Sequence, residues 1–249
     1  MWGIIMKLGT LSVALAALTM SSTAMADTIG VWAGGGTWDH SPSGSIRWID
    51  PTSVDLESDM KLQDKKETYL FVQVEHPVPL LPNVRVQQTA LQSTGNNPGA
   101  NFNFGGYNFT GSVDSKIVLD HTDLILYWQL LDNFVSLDLG INAMSVDGEA
   151  TVVNGGNTES TTFSGIVPMG YAAVAFSPMD SLEFRGELSA LSIGDSSITD
   201  STIKVMYTTD FMLGIEAGVR SLKVELDDLD GVYTNMKFDG PFVGVYLHF

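Results

Sequence analysis

Along most of this chain apolar residues recur at every second position. Val135, Leu137, Leu139, Ile141 and Ala143 share one parity, and Ser136, Asp138, Gly140 and Asn142 share the other. Leu182, Phe184, Gly186, Leu188 and Ala190 oppose Glu183, Arg185, Glu187 and Ser189. Phe211, Leu213, Ile215, Ala217 and Val219 oppose Met212, Gly214, Glu216, Gly218 and Arg220. Side chains alternate between the faces of a strand, so this period predicts strands with one apolar and one polar face. Such segments lie near Thr28–Trp38, Thr68–His76, Val84–Gln92, Ser115–Gln129, Asn133–Val146, Thr161–Ser177, Leu182–Ile193, Ile198–Thr208, Phe211–Leu226 and Thr234–Phe249. No segment holds a helical period over three turns, so the chain is all-β. A sandwich would bury the apolar row in a core, whereas a membrane barrel turns it to lipid and lines its lumen with the polar and glycine row. Periodicity alone leaves both open.

The connections and the ends favour the barrel. Pro77–Pro82, Leu130–Asp132, Pro178–Ser181 and Thr209–Asp210 are short. The alternating set is longer and polar: Asp39–Glu67, Ser93–Asp114, Asp147–Ser160 and Asp227–Tyr233, with Gly194–Ser197 a short exception. Short periplasmic turns and long outer loops are the habit of outer-membrane barrels. Asp39–Glu67 is the least readable stretch, either an extension of the first hairpin or a surface loop. Trp128, Phe134, Phe176 and Phe211 sit near short turns, as an interfacial aromatic girdle would.

Residues 1–26 read as a secretory signal peptide. Lys7 precedes the apolar run Leu8–Leu18, and Ala24-Met25-Ala26 is a small-x-small cleavage site before Asp27. Residues 27–249 would then form one barrel domain. No later stretch approaches the roughly 20 apolar residues a spanning helix needs. Cysteine is absent, which excludes disulfides, thiolate metal sites and a lipid-anchored cysteine. Twelve Lys and Arg against 29 Asp and Glu disfavour nucleic acid as a partner. The last strand carries Val243, Val245, Leu247 and Phe249 on one face, an apolar row ending at a terminal aromatic that resembles the assembly signal of outer-membrane barrels. The expectation is a closed antiparallel up-and-down transmembrane barrel of about ten strands, eight and twelve being the neighbouring counts, in the bacterial outer membrane after export.

Trp32-Ala33-Gly34-Gly35-Gly36 resembles a group of small proteobacterial outer-membrane proteins marked by an N-terminal Gly-Gly, and Glu75–Arg85 resembles that group's most distinctive block. The resemblance covers the whole mature chain. It implies the barrel fold and the location, and supplies no catalytic residues.

The chemistry available is a lumen row: Glu75, Arg85, Asp138, Glu183, Arg185, Glu187, Lys204, Glu216 and Arg220. Neighbouring strands should bring Glu75 to Arg85, and Lys204 to the Glu183–Glu187 row. Opposite charges should pair in a narrow, poorly hydrated lumen, locking it or gating a narrow pore for small solutes. Asp120-His121, Asp123 and Asp39-His40 invite a hydrolase reading, but consecutive strand residues face opposite ways, so Asp120 cannot orient His121, whereas Asp123 shares its face. His40, His76, His121 and His248 lack metal-ligand spacing, and Asp227-Asp228-Leu229-Asp230-Gly231 lacks the closing Glu of a calcium loop. Gly34–Gly36 has no helix after it to make a phosphate loop. The expected role is structural or envelope-associated, without enzymatic activity, cofactor or metal. Its partners would be outer-membrane lipid and lipopolysaccharide, with the barrel-assembly machinery and periplasmic chaperones during biogenesis. A narrow channel, an outer-membrane hydrolase and a soluble ligand-binding sandwich are the competing classes.

Overall fold

The computed structural model describes residues 29–78, 80–229 and 231–249, with the side chains of Asp132 and Leu229 outside that description. The signal-peptide segment, with Ala24, Ala26 and Asp27, lies outside the described residues. The strands are β1 (Gly30–Trp48), β2 (Val54–Asp55), β3 (Lys65–Glu75), β4 (Asn83–Thr89), β5 (Gln92–Phe104), β6 (Tyr107–Asp132), β7 (Val135–Asn154), β8 (Asn157–Met179), β9 (Leu182–Ile193), β10 (Ser196–Thr208), β11 (Leu213–Leu229) and β12 (Val232–His248). All pairings are antiparallel, and β12 returns to pair with β1, closing the ring. Phe249 completes the seam by exchanging backbone hydrogen bonds with Val31, at 2.9 and 3.0 Å. Closure removes the sheet edges that lipid cannot satisfy.

The ring has ten positions among the described residues, although twelve strands are distinct. β4 and β5 both pair with β6, one after the other, and form one interrupted stave. The break at Ala90-Leu91 stays bonded: Ala90 donates to Thr68, and the Leu91 amide donates to the Asp120 carboxylate at 2.8 Å. β2 is a two-residue strand on the extension of β1.

Two expectations need correction. Ser93–Asp114 and Asp147–Ser160 are not loops but the tall ends of hairpins, with β5–β6 turning at Gly105-Gly106 and β7–β8 at Gly155-Gly156. All four of these glycines have positive φ, the conformation a two-residue hairpin turn demands. The alternation continues through these polar stretches, so the strands run far beyond the roughly 9–11 residues a membrane requires.

The lumen, expected to be polar along the whole inward row, is polar only in its lower part. On β7, Asp138 and Asn142 face inward low in the barrel, but Met144, Val146, Ala150 and Val152 face inward higher up. The upper interior is an apolar core that includes Trp38, Ile117, Leu119, Val224 and Phe238. The stretch between β1 and β3 contributes to it. Leu56 and Met60, both fully buried, turn in from this segment toward the core. Each such side chain contributes about 1.5–3 kcal/mol of burial.

Outside, the rows turn over as the alternation requires. Ile141, Val174, Ile203, Ile215, Val219, Val243 and Val245 are all more than half exposed. Trp128, Phe134, Phe176, Phe184, Tyr207 and Phe211 are exposed near the short-turn end, with Phe134 and Phe176 meeting edge to face at 4.5 Å. An apolar belt bounded by aromatics is the outer surface of a membrane barrel.

Candidate functional site, a charged lock across the lumen

The inward parity of β4, β7, β9, β10 and β11 gathers the charged residues at one level. Arg85 reaches from β4 to Glu187 on β9, almost opposite in the ring, with Nη1 donating at 2.9 and 3.1 Å. Its Nη2 donates to Gln87 at 2.6 Å. Glu187 also receives Arg185 Nε at 3.2 Å and lies 3.0 Å from Lys204 Nζ. Lys204 continues to Glu216 at 3.2 Å, and Glu216 accepts the Tyr69 hydroxyl at 2.6 Å. Arg185 further donates to Asp138 and lies 3.7 Å from Glu183. The chain Arg85–Glu187–Lys204–Glu216–Tyr69 therefore ties β4 to β9, β10, β11 and β3 through the lumen.

Glycine makes this crossing fit. Tyr69, Gly36, Gly244 and Glu216 are register partners on the consecutive staves β3, β1, β12 and β11. A Cβ on Gly244 would come within 2.3 Å of the Tyr69 hydroxyl, and one on Gly36 within 2.7 Å. Tyr246 repeats the device: its ring covers Gly214, and its hydroxyl meets Thr208 Oγ1 at 2.7 Å. Gly36 belongs to the glycine run, which here provides lumen space and close strand approach.

Above the lock sits a second cluster. Arg220 donates to both Asp200 oxygens at 3.0 and 2.5 Å, to Thr89 at 3.0 Å and to His121 Nε2 at 3.0 Å. His121 Nδ1 meets the Leu119 carbonyl at 2.8 Å, so Nδ1 carries the proton and Nε2 accepts from Arg220. Asp123 is inward and buried, and accepts Asn142 at 2.8 Å. His121, Asp123 and Asp200 offer ligand atoms within 4.8 Å of one another. The guanidinium of Arg220 is the cation this group surrounds.

All nine lumen residues named from sequence face inward, yet one pairing differs. Glu75 does not meet Arg85. It accepts Tyr127 at 2.6 Å and Gln73 at 3.0 Å, because Gln73 is the register partner of Arg85 and Glu75 lies beyond it. Arg85 is left free to cross the lumen. Lys204 does reach the Glu183–Glu187 row, through Glu187. Tyr69, Gln87, Thr89 and Asp200 also belong to these clusters, as does Tyr171, whose hydroxyl lies 3.5 Å from Arg185 Nη2, and none of the five is in the lumen row read from sequence. Their parity was the available signal, since Asp200 shares a face with Lys204 and Tyr69 shares one with Glu75.

The remaining candidates have structural surroundings. Asp120 stitches the β4–β5 break, as above. His40 is buried between the rings of Trp38 and Phe238, whereas Asp39 is exposed on the opposite face. His76 staples the β3–β4 turn: Nδ1 accepts the Val78 amide at 3.2 Å and Nε2 meets the Pro82 carbonyl at 3.1 Å. His248 stacks on Trp32 at 4.1 Å. Val243, Val245, Leu247 and Phe249 are between 43% and 59% exposed and face outward. The acidic stretch at 227–231 falls partly outside the described residues, at Asp230.

The space around the lock is divided. A lower vestibule of about 250 Å³ is lined by Trp32, Glu75, Arg185, Lys204 and His248 among others. The pocket within the lock has about 50 Å³ and is lined by Tyr69, Arg85, Glu187, Lys204, Glu216 and Arg220 among others. That holds a few waters and no hydrated solute.

No protein-family model and no curated protein matches this chain. Solved structures do. The outer membrane protease OmpT from Escherichia coli aligns with a TM-score of 0.55 at 10% identity, over 92% of this chain and 99% of that one. Ail, the attachment invasion locus protein of Yersinia pestis, aligns with a TM-score of 0.38 at 12% identity, covering 89% and 99%. Neisserial surface protein A gives 0.33 at 12%, covering 88% and 96%. At these identities the likeness to OmpT carries the fold and no activity. The closed ring, the apolar belt and this fold make the chain an outer-membrane β-barrel protein.

Proposed function

We propose that this barrel is a closed, envelope-associated structural protein, without enzymatic activity, whose lumen is locked by the Arg85–Glu187–Lys204–Glu216 chain. The observation that carries this reading is that this chain of contacts crosses the lumen from β4 to β11, with a pocket of about 50 Å³ at its level. A ten-position barrel is only slightly wider than the eight-stranded kind that side chains fill. The absence of catalysis is supported by His121, whose Nδ1 and Nε2 are engaged by the Leu119 carbonyl and the Arg220 guanidinium. A general base needs a free acceptor nitrogen beside its substrate.

Membership in the Gly-Gly group of outer-membrane proteins belongs to the same proposal. It is supported by the work Gly36 does beneath Tyr69 and by the stapled turn inside the Glu75–Arg85 block. Lipopolysaccharide and outer-membrane lipid would be the steady partners, met by the apolar belt. The row ending at Phe249 would be what the assembly machinery reads.

Planar-bilayer recording of the purified protein tests the reading. The expected trace is silent for the native chain and conducting for Glu187→Ala. Steady native conductance would instead make the lock a selectivity element of a narrow channel.

A further inference from the structure

The barrel wall has a notch. β8 pairs with β7 along its whole length, to Asn154↔Asn157. On its other side β8 pairs with β9 only up to Gly170↔Ala190. β9 and β10 then turn back at Gly194-Asp195, while β11 and β12 continue upward to Leu229↔Val232. The upper half of β8, residues 157–169, therefore has one edge without a strand partner among the described residues. The notch starts at the upper limit of the apolar belt. Outward residues below it are Ala172, Val174 and Leu188, and those above become Ser164, Thr162 and Ser192 after Ile166 and Pro168. An unpaired edge at that height meets headgroups and water, where its backbone groups can be solvated, not hydrocarbon.

Behind the notch is a cavity of about 570 Å³, within the range of small-molecule sites. Leu119, Val146, Leu191, Ile198, Leu222 and Val224 form its apolar interior. Both faces of β8 line it: Phe163, Gly165 and Val167 from the inward face, Thr162, Ser164 and Ile166 from the outward face. The cavity thus passes around the free edge of β8 and opens through the wall. Its polar margin is formed by the hydroxyls of Thr162, Ser164, Ser196 and Ser197, and no Lys or Arg lines it. The floor is His121, held by Arg220.

We propose that this cavity binds the alkyl chain of a single-chain amphiphile with an uncharged polar head, taken laterally from the outer leaflet through the gap above Gly170↔Ala190. Apolar walls accept the chain, and the hydroxyl margin accepts the head. A carboxylate or phosphate head would find no cation among the lining residues. The belt places the opening at the depth where such heads lie. This site is separate from the lumen lock, so the fate of the lock reading does not decide it.

Photolabelling tests the proposal. The full chain in lipid nanodiscs is irradiated with a long-chain fatty alcohol bearing a diazirine on its alkyl chain, and labelled residues are mapped by mass spectrometry. Label should concentrate on residues 163–167, 191–198 and 222–226, and excess unlabelled alcohol should compete it away. Gly165→Phe fills the cavity, and nothing lies within 4 Å of the Cβ it adds. It should reduce labelling about tenfold or more while keeping heat-modifiable gel mobility. Ile198→Asn, which puts an amide in the apolar wall, should act in the same direction. Label spread along the outward belt and indifferent to both variants would overturn the site. Equal capture of a fatty-acid anion would overturn the uncharged-head assignment. A protein cross-linked to residues 158–169 in the native membrane, with no alkyl label in the cavity, would assign the notch to strand pairing by a partner.

Discussion

Tyr69 crosses two intervening strands to hydrogen-bond Glu216 at 2.6 Å, and it can do so because the residues beneath it are Gly36 and Gly244. Tyr69→Phe removes the donor and leaves the buried Glu216 carboxylate to Lys204. The expected loss is about 1–3 kcal/mol, read as a lower urea midpoint for the folded gel band. Gly244→Ala should cost at least as much by displacing the phenol. Gly186→Ala, with nothing within 4 Å of the added methyl, should leave the midpoint unchanged.

Glu187 serves Arg85, Arg185 and Lys204 at once. Glu187→Gln leaves three buried cations short of a counter-ion. The expected cost is about 3–5 kcal/mol, and bilayer recordings should show openings that prefer anions. Arg185→Ala should destabilise similarly. If neither variant loses stability and neither conducts, the lock model fails.

The short β3–β4 turn rests on His76 and on Asn83, whose side-chain oxygen accepts the His76 amide at 3.0 Å. Asn83→Ala should cost about 1 kcal/mol and expose the turn to protease in periplasmic extracts. The outer hairpins should remain as resistant as before.

Asp55 anchors the segment that carries Leu56 and Met60 into the upper core. Its carboxylate accepts the Ser58 amide at 2.7 Å, the Ser58 hydroxyl at 2.9 Å and the Glu57 amide at 3.0 Å. The Ser58 amide, foremost, holds its pKa below the ordinary value of 3.8. A lowered acid stabilises the fold fully above its unfolded pKa, and that contribution is lost as pH falls through the lowered folded pKa. Residues 49–64 should therefore resist limited proteolysis at neutral pH and lose protection only in strong acid. Asp55→Asn should lose part of that protection already at neutral pH.

Much of the barrel was legible in the residues. Leu137 to Ala143, Phe184 to Ala190 and Leu213 to Val219 face outward as their parity requires, since a strand has only two faces. The nine charged lumen residues face inward for the same reason. Parity says nothing about reach. Arg85 could be placed in the lumen, but its partner on the far wall depends on ring size and on which level each strand presents. The tall hairpins look like loops in the sequence because their polar residues obscure an alternation that Gly105-Gly106 and Gly155-Gly156 terminate. The paired glycines at those two turns are the sequence signal of the hairpins.

The sequence by itself determined the strand faces, the outward apolar belt and the inward charges, because each follows from a local period of two. Only the tertiary structure decided that Arg85 meets Glu187, that Tyr69 lies over Gly36 and Gly244, and that the upper lumen is an apolar core. It alone decided that β8 outgrows β9 and leaves a notch. These depend on closure and register between strands distant in the chain, which no local pattern encodes.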